Sequence, residues 1–90
     1  MIEIKKKSDQ EFMVSVEEGE TRTDHTLTLD DAYYRYLTNG EISKEELIKR
    51  SFEFLLEKES KESILSKFDL KVIKNYFSDY EEKIKGFKNS

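Results

Sequence analysis

Apolar residues stand at every second position from Phe12 to Val16 and again from His25 to Leu29, whereas from Asp30 onward they recur every three or four. A period of two puts alternate side chains on opposite faces of a strand. A period near 3.6 lines one side of a helix. The switch at Leu29-Asp30 therefore divides the chain into a sheet-forming first third and a helical remainder. Ile2 and Ile4 alternate with Glu3 and Lys5; Phe12, Val14 and Val16 alternate with Met13, Ser15 and Glu17; His25, Leu27 and Leu29 alternate with Asp24, Thr26 and Thr28. Glu18-Gly19-Glu20 reads as a turn, with Gly19 free to take positive φ. The pattern predicts a small antiparallel β-meander of two to three strands within residues 2–29.

After the switch, Asp30 is a good N-cap for a short helix through DDAYYRYLT, and Asn39-Gly40 ends it, because both residues tolerate the left-handed conformation. Ser43 followed by Glu46 is a capping box, and Ile42 with Leu47 makes the matching hydrophobic staple. The helix they open, over 43–59, places Leu47, Ile48, Ser51, Phe52, Leu55 and Leu56 on one face and leaves Phe54 off it. KESKES breaks it. One short helical turn is expected next, with Ile64, Leu65 and Phe68 inward. Asp69 then caps a helix whose apolar side is Leu70, Ile73, Tyr76, Phe77 and Tyr80. Ser78 and Glu81 repeat the capping-box spacing, so this helix breaks and restarts at Ser78; Ile84 and Phe87 close it, and 86–90 form a frayed tail. The prediction is an α+β fold, one domain over 1–90, with three to four α-helices within 30–85 packed on one face of the meander.

Composition narrows function more than it names it. Charged residues make up 40% of the chain and hydrophobic ones 36%, yet six Phe and five Tyr are far too many for a disordered chain. There is no Cys, so no disulfide and no thiolate chemistry, which fits a reducing, cytoplasmic setting. No apolar run approaches the roughly 18–20 residues that span a membrane. MIEIKKKSDQ has no apolar core and is not read as a signal peptide. The net charge is −4, and only residues 60–90 are mildly basic, so the overall field disfavours nucleic acid as a partner.

Few groups could carry chemistry. His25 is the only histidine, and its neighbour Asp24 points to the opposite strand face, so it is read as packed and hydrogen-bonded rather than as a ligand or base. The acidic pairs Glu17-Glu18, Asp30-Asp31, Glu45-Glu46 and Glu81-Glu82 lie at turns or helix starts, where carboxylates stay solvated or favour the helix dipole. Phosphate loops and nucleophile elbows are absent. No enzyme, cofactor or metal site is expected. Lys5-Lys6-Lys7 reads as the solvated end of an edge strand. The aromatic residues are more informative. Tyr33, Tyr34 and Tyr36 cannot share one helix side, nor can Phe52 and Phe54, nor fully Tyr76, Phe77 and Tyr80. Some rings should reach the surface. Tyr33, Tyr34, Tyr36, Phe54, Tyr76 and Tyr80 are therefore the candidate protein-interaction residues.

Two resemblances add to this. LTLDDAYYRYL followed by ISKEELIKRSFEFLL resembles the strand and two helices of ribbon-helix-helix proteins. That resemblance implies a dimer whose paired strands read the major groove. Thr26 and Thr28 would be the readers, flanked by Arg22 or Asp24, and the backbone at Ser43 and Lys44 would meet a phosphate. The blocks HTLTL, LTNGEISKEELIKRSFEFLLEKESKESIL and FDLKVIKNYFSDYEEKI are similar to a group of small conserved prokaryotic proteins with no assigned activity; Ser60 and Ser78 stand where that group is expected to have Pro. This second resemblance implies no site residues. The sequence thus points to a non-catalytic protein-interaction or regulatory module, binding another protein or itself. The alternative is a ribbon-helix-helix-like dimeric DNA-binding regulator.

Overall fold

The structure, a computed structural model, describes residues 1–86. Phe87, expected to close the last helix, and most of the expected frayed tail lie outside the described residues. Three strands form the meander: β1 (Ile2–Lys6), β2 (Glu11–Glu18) and β3 (Thr21–Thr28), all antiparallel. The register sets Val14 opposite both Ile4 and His25, and Phe12 opposite Leu27, so the apolar alternation of the three strands falls on one face. Only Gly19 and Glu20 separate the paired Glu18 and Thr21. Gly19 takes φ +63° and Glu20 does not take positive φ, the pattern of a type II′ hairpin turn, whose twist matches that of the strands.

The helices pack on the apolar face. In α1 (Asp31–Thr38) the Asp30 carboxylate accepts from the Tyr33 amide at 2.7 Å, and Asn39 ends the helix at φ 54°. In α2 (Lys44–Lys58) the Ser43 hydroxyl accepts from the Glu46 amide at 3.0 Å. The Glu46 carboxylate does not return to the cap; it accepts from Arg50 Nε at 2.8 Å. A 3-10 turn at Lys61–Ser63 follows, then β4 (Lys67–Asp69), which pairs parallel with β3 as the fourth strand of a sheet ordered β1-β2-β3-β4. Asp69 caps a second 3-10 turn, Leu70–Val72, by accepting from the Lys71 amide, and this runs into α3 (Ile73–Tyr76); α4 (Tyr80–Lys85) is the last element among the described residues.

The core joins Phe12, Val14, Val16, Leu27 and Leu29 of the sheet side to Leu37, Leu47, Ile48, Phe52 and Leu55 of the helices. The structure departs from the sequence expectation at the junctions. No period announces β4, which is three residues long. Leu65, expected inside, is 47% exposed. The backbone is already extended at Ile64 (ψ 135°), and in an extended segment adjacent side chains point opposite ways, so Ile64 takes the core and Leu65 is turned out. Ser78 makes no cap. The break is at Phe77, whose φ and ψ of −133° and 99° reset the helical phase, leaving Tyr76 outside and bringing Tyr80 fully inside. Among the described residues no helix is long and apolar enough to cross a membrane.

Candidate functional site

The six candidate aromatic residues separate into interior and surface. Phe54, expected off the buried side of α2, is 7% exposed, because α4 covers that side: its ring meets Tyr80 at 5.4 Å and Phe77 at 5.9 Å between centroids. Tyr80 is wholly buried, with its hydroxyl 2.7 Å from Ser51 Oγ. Tyr33 is buried too, and its hydroxyl donates to the Glu81 carboxylate at 2.7 Å across the α1–α4 contact. Burial, with Glu81 adding to it, pushes the Tyr33 hydroxyl pKa well above the usual tyrosine value; burial does the same to Tyr80. These three rings are therefore packed between helices rather than presented at the surface. Tyr34 is half-buried, its hydroxyl spent on the Ile42 carbonyl. Only Tyr36 and Tyr76 are exposed. Tyr36 already carries the Lys85 ammonium 3.8 Å above its ring.

Tyr76 stands on the rim of a cleft of about 330 Å³, bounded by the C-terminal end of α2, β4 and α3. Leu55, Ile64, Phe68, Ile73 and Phe77 form its floor and walls, and Leu65 and Val72 join Tyr76 around it. Its size is at the lower end of the range for sites that take small molecules or side chains. Of the four large exposed hydrophobic residues among those described, Leu65 and Tyr76 both line this cleft. One charged residue lines it, Glu59, the C-cap of α2. Glu59 is half-buried as a residue, and its carboxylate has no hydrogen-bond or ion-pair partner among the described residues.

His25 helps to shape this cleft from behind. It is 2% exposed, and Nδ1 lies 2.8 Å from the Leu65 carbonyl oxygen, so Nδ1 carries the hydrogen and donates. In the neutral ring Nε2 then accepts from the Thr23 hydroxyl at 2.9 Å. The ring packs 5.4 Å from Phe52. Both nitrogens are used, and the bond holds the Leu65 backbone against the sheet while the Leu65 side chain faces the cleft.

The residues implied by the ribbon-helix-helix resemblance lie elsewhere and are differently engaged. Arg22 donates through Nε to Asp24 at 3.0 Å and through Nη2 to Ser15 at 3.1 Å. The Ser15 hydroxyl, with Arg22 beside it, holds the Asp24 carboxyl below the usual carboxylate range. Thr28 donates to Asp69 at 2.9 Å. Ser43 is occupied as a cap, and Lys44 donates to the Asp9 carbonyl and to Asp31, whose carboxyl it holds below its ordinary value. Above all, β3 is paired on one edge with β2 and on the other with β4. A second copy could pair with β3 at Thr26–Thr28 only by displacing β4.

Among the described residues no group of three or more His, Asp or Glu side chains is placed to hold a metal ion. No family model, no curated protein and no solved structure matches this chain significantly. Glu59, Ser63 and Val72 of the cleft were not singled out by sequence. The signal that could have found its rim is the adjacent pair Ile64-Leu65 after a helix break, where an extended backbone must expose one of the two.

Proposed function

We propose that this chain is a non-catalytic interaction module that holds a partner polypeptide by its apolar side chains in the cleft between α2, β4 and α3. One observation carries the reading: Leu65 and Tyr76, two of the few large hydrophobic side chains left in water, converge on the same apolar cleft. Exposed apolar side chains scattered singly are ordinary, whereas ones gathered around a preformed hollow are typical of peptide-binding grooves. The lining supports binding rather than catalysis: it has one charged side chain, Glu59, with no hydrogen-bonded acid, base or nucleophile held against it.

The test is selection of a random dodecapeptide display library on the folded protein, followed by calorimetry with the enriched peptides. Enriched peptides should share apolar anchors and lose at least about tenfold in affinity against Leu65→Ser/Tyr76→Ser, as expected for loss of hot-spot contacts. Leu65 is 47% and Tyr76 66% exposed, so the variant should stay folded with its melting temperature lowered by no more than a few degrees. Peptides that bind the variant equally well would sink the reading.

A further inference from the structure

Resting on that reading, we infer that the cleft selects a cationic segment: an apolar anchor side chain flanked by an Arg or Lys whose charge pairs with Glu59. The alternatives elsewhere in the molecule carry less. The Tyr33–Glu81–Lys74 and Tyr36–Lys85 contacts satisfy one another across the α1–α4 seam. The Arg22–Asp24–Ser15 cluster on the uncovered sheet face is likewise closed. Glu59 differs from all of these. It is the one charged group lining the cleft, it is partly withdrawn from water, and no cation of the described chain reaches it.

Four lysines of the neighbouring segments are paired elsewhere. Lys58 reaches Asp79, Lys61 pairs with Glu62, Lys71 with Asp30 and Lys74 with Glu81. An apolar cleft with one unpaired carboxylate has a polarity as well as a volume. An anionic occupant would meet uncompensated repulsion, a neutral one would take water from the carboxylate without replacing its hydrogen bonds, and a cation would supply a charge-assisted hydrogen bond. The chain's net charge of −4 acts in the same sense at longer range, drawing basic segments in. An arginine suits the site best, since its planar fork bonds a carboxylate through two N–H groups while its stem lies along apolar walls.

The experiment uses three synthetic octapeptides of sequence acetyl-Gly-Ser-Leu-Phe-X-Leu-Gly-Ser-amide, with X as Arg, Gln or Glu. Each is titrated into the ¹⁵N-labelled protein and followed by amide chemical shifts. With the wild type the Arg peptide should bind at least about threefold more tightly than the Gln peptide, and the Glu peptide most weakly, the size expected of one partly exposed pair. Shifts should centre on residues 63–68 and 72–77. In Glu59→Gln the Arg preference should disappear, and in Glu59→Lys the order should invert. If all three peptides shift the cleft amides with equal affinity, the cleft reading stands and the cation inference falls. If none does so, both fall.

Discussion

At the residue scale the decisive side chains are those with two jobs. His25 fills the core and also bonds the Leu65 carbonyl, so the same ring that packs on Phe52 sets the rim of the cleft. His25→Leu keeps the bulk but leaves that part-buried carbonyl without its donor, and should cost about 1 kcal/mol in a urea denaturation. The amide shifts of residues 63–68 should move with it; an unchanged cleft spectrum would mean that Leu65 is positioned by something else. Tyr33 makes a different prediction. Its folded-state pKa is raised by burial and Glu81 above the 10.0 of an unfolded tyrosine. A group raised in this way supports folding fully below its unfolded value, and that support is lost as the pH climbs past about 10 toward the folded value. The urea midpoint should therefore fall between about pH 9 and pH 11, and fall less steeply in Tyr33→Phe. Equal slopes in the two proteins would remove Tyr33 as the cause. Lys61 shows how a residue can look ordinary in sequence and not in space. Its side chain is 5% exposed, with its ammonium placed on Thr21 and Glu62, tying the turn after α2 to the β2–β3 hairpin.

At the element scale, local chemistry and tertiary cover divide the work. The caps at Asp30 and Ser43, the left-handed stop at Asn39 and the Gly19 turn are all written in a few adjacent residues, and the structure has them where the sequence puts them. Ser43→Ala should cost about 1 kcal/mol, read as a lowered melting temperature, because it strips the acceptor from the Glu46 amide. Phe54 is the opposite case. By periodicity it belongs outside α2, and only the packing of α4 makes it interior. Phe54→Ala should cost about 3–5 kcal/mol, as truncation of a buried ring does. A cost under 1 kcal/mol would mean that α4 does not hold against α2 in solution.

At the scale of the whole molecule, the β1–β3 meander and α2 form the continuous part of the core, whereas β4 and α3, the walls of the cleft, are the shortest strand and the shortest α-helix. Short elements with few ladder bonds open locally most readily. Hydrogen exchange should find the β2 and β3 amides slowest and those of residues 65–77 among the fastest of the ordered core. Bound peptide should slow that second group selectively. The chain should be monomeric by light scattering, since β3, the strand a two-chain ribbon would need, is paired along its length with β2 and at Thr26–Thr28 with β4. A dimer that dissociates on Leu65→Ser would seat a second copy in the cleft and overturn the reading of a foreign partner.

The sequence by itself determined the α+β class, the meander, its inward face and the starts of the first two helices, because strand alternation and capping act between residues at most a few positions apart. It also marked Tyr76 as an aromatic worth watching. Tertiary structure alone decided that β4 pairs with β3 about forty residues away, that Phe54, Tyr33 and Tyr80 are interior, and that Leu65 faces water. A three-residue strand has no period to read, and a reset of helical phase at Phe77 leaves no trace in composition. The cleft is made where those non-local choices meet, so its geometry could not be read from any one stretch of the chain.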